Sequence, residues 1–302
     1  MERAMTVTVA SLLLCAVWND GARAEMPAPG VIEAAGAEFP FVEAGEGEPV
    51  LFVHGAVGDY RKWDGLWKDV AAGHRFMAYT QRWFGTGEWP PDKPYSRDVH
   101  SDDLVAVLQA IGEPVHLVGL SNGGPPALWA AIKVPELVRS LVLYEANLPD
   151  VLFGSAEGEA AVGAFYDGFG DVEAALEAKD DAEAARELIE AIYALPEGGF
   201  DTLDPVQKAM VLDNARTVPL VWNAPDPTPL GCDELASIEA PTLVVASAET
   251  LKMWSLAAEA IAGCIPGATL ALIDGVGHNG PVQAKDEFVK VTLDFIDAHK
   301  AP

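Results

Sequence analysis

Gly119-Leu120-Ser121-Asn122-Gly123 sets a serine between two glycines, directly after the apolar run Val115 to Val118 and directly before a helical pattern. A strand, a sharp turn and a helix in that order hold a serine hydroxyl clear of its own backbone, and the helix aims its positive end at charge developing beside it. The chemistry that needs such a serine is nucleophilic attack on an acyl carbon, with a base to take the hydroxyl proton and donors to hold the oxyanion. Of six histidines, only His278 lies in a glycine-rich loop after the last apolar run, Asp274-Gly275-Val276-Gly277-His278-Asn279-Gly280, so it is the expected base. His74, His100 and His299 read as surface residues, and His116, inside an apolar run, as core. A second loop, His54-Gly55-Ala56-Val57-Gly58, follows the run Val50 to Val53. The main-chain amides of Ala56 and Asn122 are the expected oxyanion donors, each worth about 3 to 4 kcal/mol when removed alone. His54 is expected to brace its loop, not to react.

These residues must be carried by a rigid frame, and the apolar patterning supplies one. Val50 to Val53, Phe76 to Tyr79, Val115 to Val118, Ser140 to Tyr144, Thr242 to Ala246 and Thr269 to Ile273 are short continuous apolar runs bounded by turn residues, as in strands buried on both faces of a parallel sheet. Stretches around Ile32 and Phe39 to Val42 predict a small edge hairpin. Helical patterns at Ser101 to Ile111, Gly123 to Ile132, Leu251 to Ala262 and Lys285 to Ala298 lie between or after the runs. The alternation predicts an α/β fold with a mostly parallel central sheet and flanking helices. From residue 148 to 223 only helical patterns occur (Glu157 to Phe165, Val172 to Ala178, Ala182 to Ala194, Pro205 to Val218), which predicts an inserted helical cap between core segments 25–147 and 224–302.

The 302 residues carry 46 Asp and Glu against 19 Lys and Arg, a formal charge of −27. A net anion of that size is repelled by nucleic acid and by anionic head groups, so nucleic-acid binding is excluded first. Half the residues are apolar, enough for a sizeable core. Residues 1–24 read as a secretory signal peptide, with a weakly basic start, an apolar run from Ala4 to Trp18 and the small-x-small site Ala22-Arg23-Ala24. The run is shorter than the roughly 20 residues that span a bilayer. Cleavage after Ala24 predicts a periplasmic or extracellular protein with no membrane association, and removes Cys15. Of the remaining cysteines, Cys232 and Cys264 either form a bridge, worth roughly 3 to 4 kcal/mol, or stay separate buried thiols. Their spacing resembles no metal site.

Taken in chain order, the His54-Gly55 loop, the Arg82-Trp83-Phe84-Gly85-Thr86-Gly87 turn, the Ser121 elbow, the insertion after Leu143-Tyr144 and the His278 loop resemble the α/β-hydrolase fold superfamily over nearly all of Val50 to Ala298. The resemblance implies a Ser-acid-His triad with no cofactor and no metal. It implies an Asp a few residues after the strand that follows the cap, but that stretch reads Ala246-Ser247-Ala248-Glu249-Thr250, with Thr250 at the Asp position. Two carboxylates remain, besides the reading that no acid is present: Glu249, one residue away, and Glu145, which ends the run Leu141 to Tyr144, a placement some members use. A carboxylate at the end of a buried strand carries a desolvation cost unless a partner such as a histidinium stabilises it, which favours Glu145.

The resemblance further implies a small-molecule substrate. Val57, Trp83, Leu148, Trp222 and Trp254 flank loop mouths where they could line an apolar pocket. A capped apolar site suits a small or medium hydrophobic carboxylic ester or lactone, and Glu145 with Leu148-Pro149 is similar to macrolactone-hydrolysing members. A carbon-carbon bond hydrolase or perhydrolase on the same triad, and a ligand-binding member without turnover, are the competing readings. Oligomeric state is not legible.

Overall fold

The computed structural model describes residues 25–90 and 93–301, so the segment read as a signal peptide lies outside the described residues. One sheet carries β1 (Gly30–Ala34), β2 (Ala37–Ala44), β3 (Pro49–Val53), β4 (Arg75–Tyr79), β5 (Val115–Leu120), β6 (Val138–Tyr144), β7 (Thr242–Ser247) and β8 (Thr269–Ile273), in the order β1-β2-β4-β3-β5-β6-β7-β8. The β1–β2 hairpin is antiparallel and β2 pairs antiparallel with β4, while β4, β3, β5, β6, β7 and β8 run parallel. The fold class is α/β with a mostly parallel sheet, as the patterning predicts.

The helices are α1 (Trp67–Ala71), α2 (Arg97–Ile111), α3 (Gly124–Lys133), α4 (Ala156–Asp167), α5 (Gly170–Glu177), α6 (Asp181–Tyr193), α7 (Pro205–Asp213), α8 (Val218–Trp222), α9 (Cys232–Leu235), α10 (Lys252–Cys264), α11 (Gly280–Gln283) and α12 (Lys285–Asp297). Because side chains alternate along a strand, Leu51 and Val53 pack with Leu104, Leu128 and Ile261 on one face of the sheet, while Val50 and Phe52 pack with Trp63, Phe288 and Ile296 on the other. Helices thus bury both faces. Helices α4 to α8 all fall between β6 and β7, and α5, α6, α7 and α8 close their own apolar cluster over Val57.

Three expectations need correction. Thr269 to Ile273 is an edge strand with Leu270 and Leu272 exposed, because β7 alone pairs with it among the described strands. Pro205 to Val218 is not one helix. It breaks at buried Asn214, whose amide nitrogen donates to Asp59 Oδ2 (2.9 Å) and whose Oδ1 accepts from the Gly85 amide (2.6 Å). Helix α2 starts four residues earlier than Ser101, because Ser96 caps it by accepting from the Asp98 amide. Cys232 and Cys264 are bridged, with Cα atoms 5.0 Å apart, joining α9 to α10.

Candidate active site

The turn after β5 is built for close approach. A Cβ on Gly123 would stand 2.6 Å from the carbonyl oxygens of Val53 and His54, so only glycine lets the elbow nest against the end of β3. Between Gly119 and Gly123, Ser121 takes φ 51°, a strained conformation for a residue with a side chain. Val57 (φ 43°), Trp83 (φ 70°) and Glu145 (φ 41°) share this left-handed strain, and the four lie just past the C-terminal ends of β3, β4, β5 and β6. Strained residues cluster where parallel sheets bind ligands.

Glu145 is fully buried, and its side chain is saturated with donors. Oε1 accepts from the Ser247 amide (2.8 Å), and Oε2 accepts from Thr250 Oγ1 (3.1 Å) and lies 2.5 Å from His278 Nδ1. Glu249, the alternative acid, is exposed, and its described hydrogen bond is its main-chain amide to Val276 O. The His278 loop is tied down from below: the hydroxyls of Tyr144 and Ser247, in contact with one another, both donate to Gly277 O (3.0 and 2.8 Å). The indole of Trp254 stacks on the His278 ring with centroids 4.2 Å apart and planes 11° from parallel. Ser121 and His278 line one narrow chamber.

His54 is buried, and its Nε2 accepts from the Gln81 amide (3.0 Å), which leaves Nδ1 protonated to donate to Gly55 O (2.8 Å). Burial holds its pKa down at about 4, so the ring is neutral and braces the loop. Ala56 and Asn122 flank Ser121 in the wall of a cavity of about 360 Å³, and neither of their amides donates to another main-chain group among the described hydrogen bonds. The Asn122 side chain accepts from Asn147 Nδ2 (2.6 Å). Apolar lining comes from Phe165, Phe169, Leu188, Val218, Trp222 and Trp254, and polar lining includes Arg97, Gln81, Asn147 and Asp226.

Residues 50–291 match the alpha/beta hydrolase family. The chain belongs to that family. The 2-hydroxymuconate semialdehyde hydrolase of Pseudomonas sp. (strain CF600) is 36% identical over 150 residues, 48% of this chain and 52% of that protein. The chain therefore spans about half the length of that relative. The mouse serine hydrolase BPHL is 26% identical over 269 residues, 86% of this chain and 84% of that one. The solved structure of Est816, described as an N-acyl homoserine lactone degrading enzyme, superposes with a TM-score of 0.60 at 26% identity over 88% of this chain and all of that one.

Within this alpha/beta hydrolase, Trp222 and Trp254 line the large cavity and Val57 lines the narrow chamber. Two expected lining residues do not. Leu148 is buried in the main core, and Trp83 packs behind the cavity wall against Tyr95 and His100. His74 and His100 are not surface residues: His74 is buried with Nε2 3.0 Å from Asp297 Oδ1, and His100 sits among Trp83, Phe84 and Tyr95 at the cavity. The helix that starts earlier than expected carries His100 itself, and the aromatic rings that enclose it come from the segment between β4 and α2. The partners of Glu145, Ser247 and Thr250, were not legible as such, although Thr250 already stood out as the residue at the usual acid position. Among the described residues no cluster of His, Cys, Asp and Glu is arranged to hold a metal ion.

Proposed function

We propose that this alpha/beta hydrolase cleaves small or medium hydrophobic carboxylic esters, lactones included, with Ser121 as nucleophile, His278 as general base and Glu145 as the acid that orients it. The observation that carries the reading is the buried contact of 2.5 Å between Glu145 Oε2 and His278 Nδ1, beside the strained Ser121. Glu145 fixes the tautomer with the proton on Nδ1, which leaves Nε2 to take the Ser121 proton as Oγ attacks. The amides of Ala56 and Asn122 hold the oxyanion, His278 protonates the leaving alcohol, and water then cleaves the acyl-enzyme. An apolar cavity of about 360 Å³ suits the acyl or alkoxy part of such a substrate. The likeness to a lactone-degrading structure supports the lactone arm. The bridge between Cys232 and Cys264 supports export through the leader, since such bridges persist in oxidising compartments.

A second reading, hydrolysis of a carbon-carbon bond on the same triad, is favoured by the likeness to a 2-hydroxymuconate semialdehyde hydrolase. Steady-state turnover of aryl esters, lactones and 2-hydroxymuconate semialdehyde by the chain from Glu25 onward separates the two. Ester or lactone turnover that exceeds semialdehyde turnover supports the first reading, and the reverse order supports the second. In either case Ser121→Ala abolishes activity, and Glu145→Gln lowers kcat by about 10² to 10⁴ while Glu249→Gln leaves it within about twofold. A folded parent that turns over nothing and resists a serine-directed phosphonate overturns both readings in favour of a binding protein.

A further inference from the structure

Two cavities meet at Ser121. The larger is the apolar space described above, and the smaller, about 20 Å³, shares Ala56, Ser121 and Ile192 with it. A space of that size admits one water molecule, which needs about 10 to 15 Å³ by this measure, and no acyl or alkoxy group. The polar side chains in its wall are Ser121, His278, Lys62 and Tyr193, and the remainder includes Val57, Ile189 and Val211. Lys62 is 8% exposed, and its ammonium donates to Asn279 Oδ1 (2.7 Å) and to the Tyr193 hydroxyl (3.1 Å). An ammonium has three N–H groups, and these contacts use two. One N–H of Lys62, a residue of the chamber wall, is left for a further acceptor.

We propose that the chamber holds the water that cleaves the acyl-enzyme, with Lys62 holding it in place; this rests on the acyl-enzyme reading above. With acyl and leaving groups in the large cavity, a water in the small one approaches Ser121 from a separate side. Lys62 donates to the water oxygen, and one water O–H points to His278 Nε2. As the oxygen bonds to the acyl carbon, that proton passes to Nε2. Collapse of the tetrahedral species then breaks the bond from the acyl carbon to Ser121 Oγ, His278 returns the proton to Oγ, and the carboxylic acid departs.

The test is the fate of the acyl group when an aryl ester is turned over with ethanol present. Ethanol is too large for the chamber and reaches the acyl-enzyme through the large cavity, giving ethyl ester where water gives acid. The ratio of ethyl ester to acid depends only on how the acyl-enzyme partitions, so a misfolded fraction of a variant does not alter it. Lys62→Met removes the donor, and Val211→Ile keeps Lys62 but adds a methyl group to the wall. Both should raise the ratio by about tenfold or more, since a misplaced reactant loses at least that much rate. An unchanged ratio in Val211→Ile, or in an active Lys62→Met, overturns the proposal. Mass spectrometry of the quenched parent separates the two levels: an acyl adduct on Ser121 with unchanged ratios sinks the chamber alone, whereas neither adduct nor ethyl ester sinks the acyl-enzyme reading with it.

Discussion

Trp254 lies flat on the ring that the proposed mechanism charges, and a positive imidazolium against an aromatic face gains about 0.5 to 2 kcal/mol. Trp254→Leu keeps an apolar side chain in the wall of the cavity but removes that face. It should lower kcat by about two- to thirtyfold, a loss that stopped-flow release of an aryl alcohol would register. Equal kcat in the two proteins would mean that the stack only packs. At this scale the sequence was unevenly informative. Ser121 and His278 stood out because glycines on both sides mark a turn whatever surrounds it. Glu145 could be weighed only through the cost of a carboxylate at the end of a buried strand. What saturates it, the Ser247 amide and the Thr250 hydroxyl, comes from the end of β7 and the loop after it, about 100 residues later in the chain, and no local pattern announces that contact.

Among the elements, the bridge from α9 to α10 matters most, because α10 carries Trp254. Its cysteines are 32 residues apart, so in the loop-entropy account Cys264→Ser costs about 3 to 4 kcal/mol. Urea unfolding of parent and variant would show this as a lower midpoint with a steeper slope, since the unbridged chain exposes more surface on unfolding, and a reductant should move the parent toward the variant. The parallel strands were legible because doubly buried strands are continuous apolar runs. The exposure of β8 was not, since an edge strand and a central strand can share a composition and only the order of the sheet tells them apart. The break at Asn214 was hidden for a similar reason. Its cause is a pair of hydrogen bonds to Asp59 and Gly85, in loops after β3 and β4, and helical periodicity continues undisturbed through it.

At the scale of the whole molecule, acid should be the main threat to stability. Burial holds His54 at about 4 and His100 at about 3, against about 6.5 in the unfolded chain. Between those values the unfolded state binds more protons than the native one, so stability is full above pH 6.5 and is lost as the pH falls toward 4. The His54 shift alone corresponds to about 3 kcal/mol. Melting temperatures taken from pH 7.5 down to 4.5 should fall steadily, and His100→Phe should flatten the decline; a pH-independent melting temperature would show that neither ring is held neutral. The molecule also sets a limit for anyone who wishes to rebuild it. The pair Ala248 and Glu249 after β7 is exposed, but it sits between Ser247 and Thr250, which both donate to Glu145, and the Glu249 amide donates to Val276 O two residues before His278. That tip is therefore a brace and no place for an insertion: a loop grafted there would loosen the donors of Glu145 and the loop of His278 in one stroke.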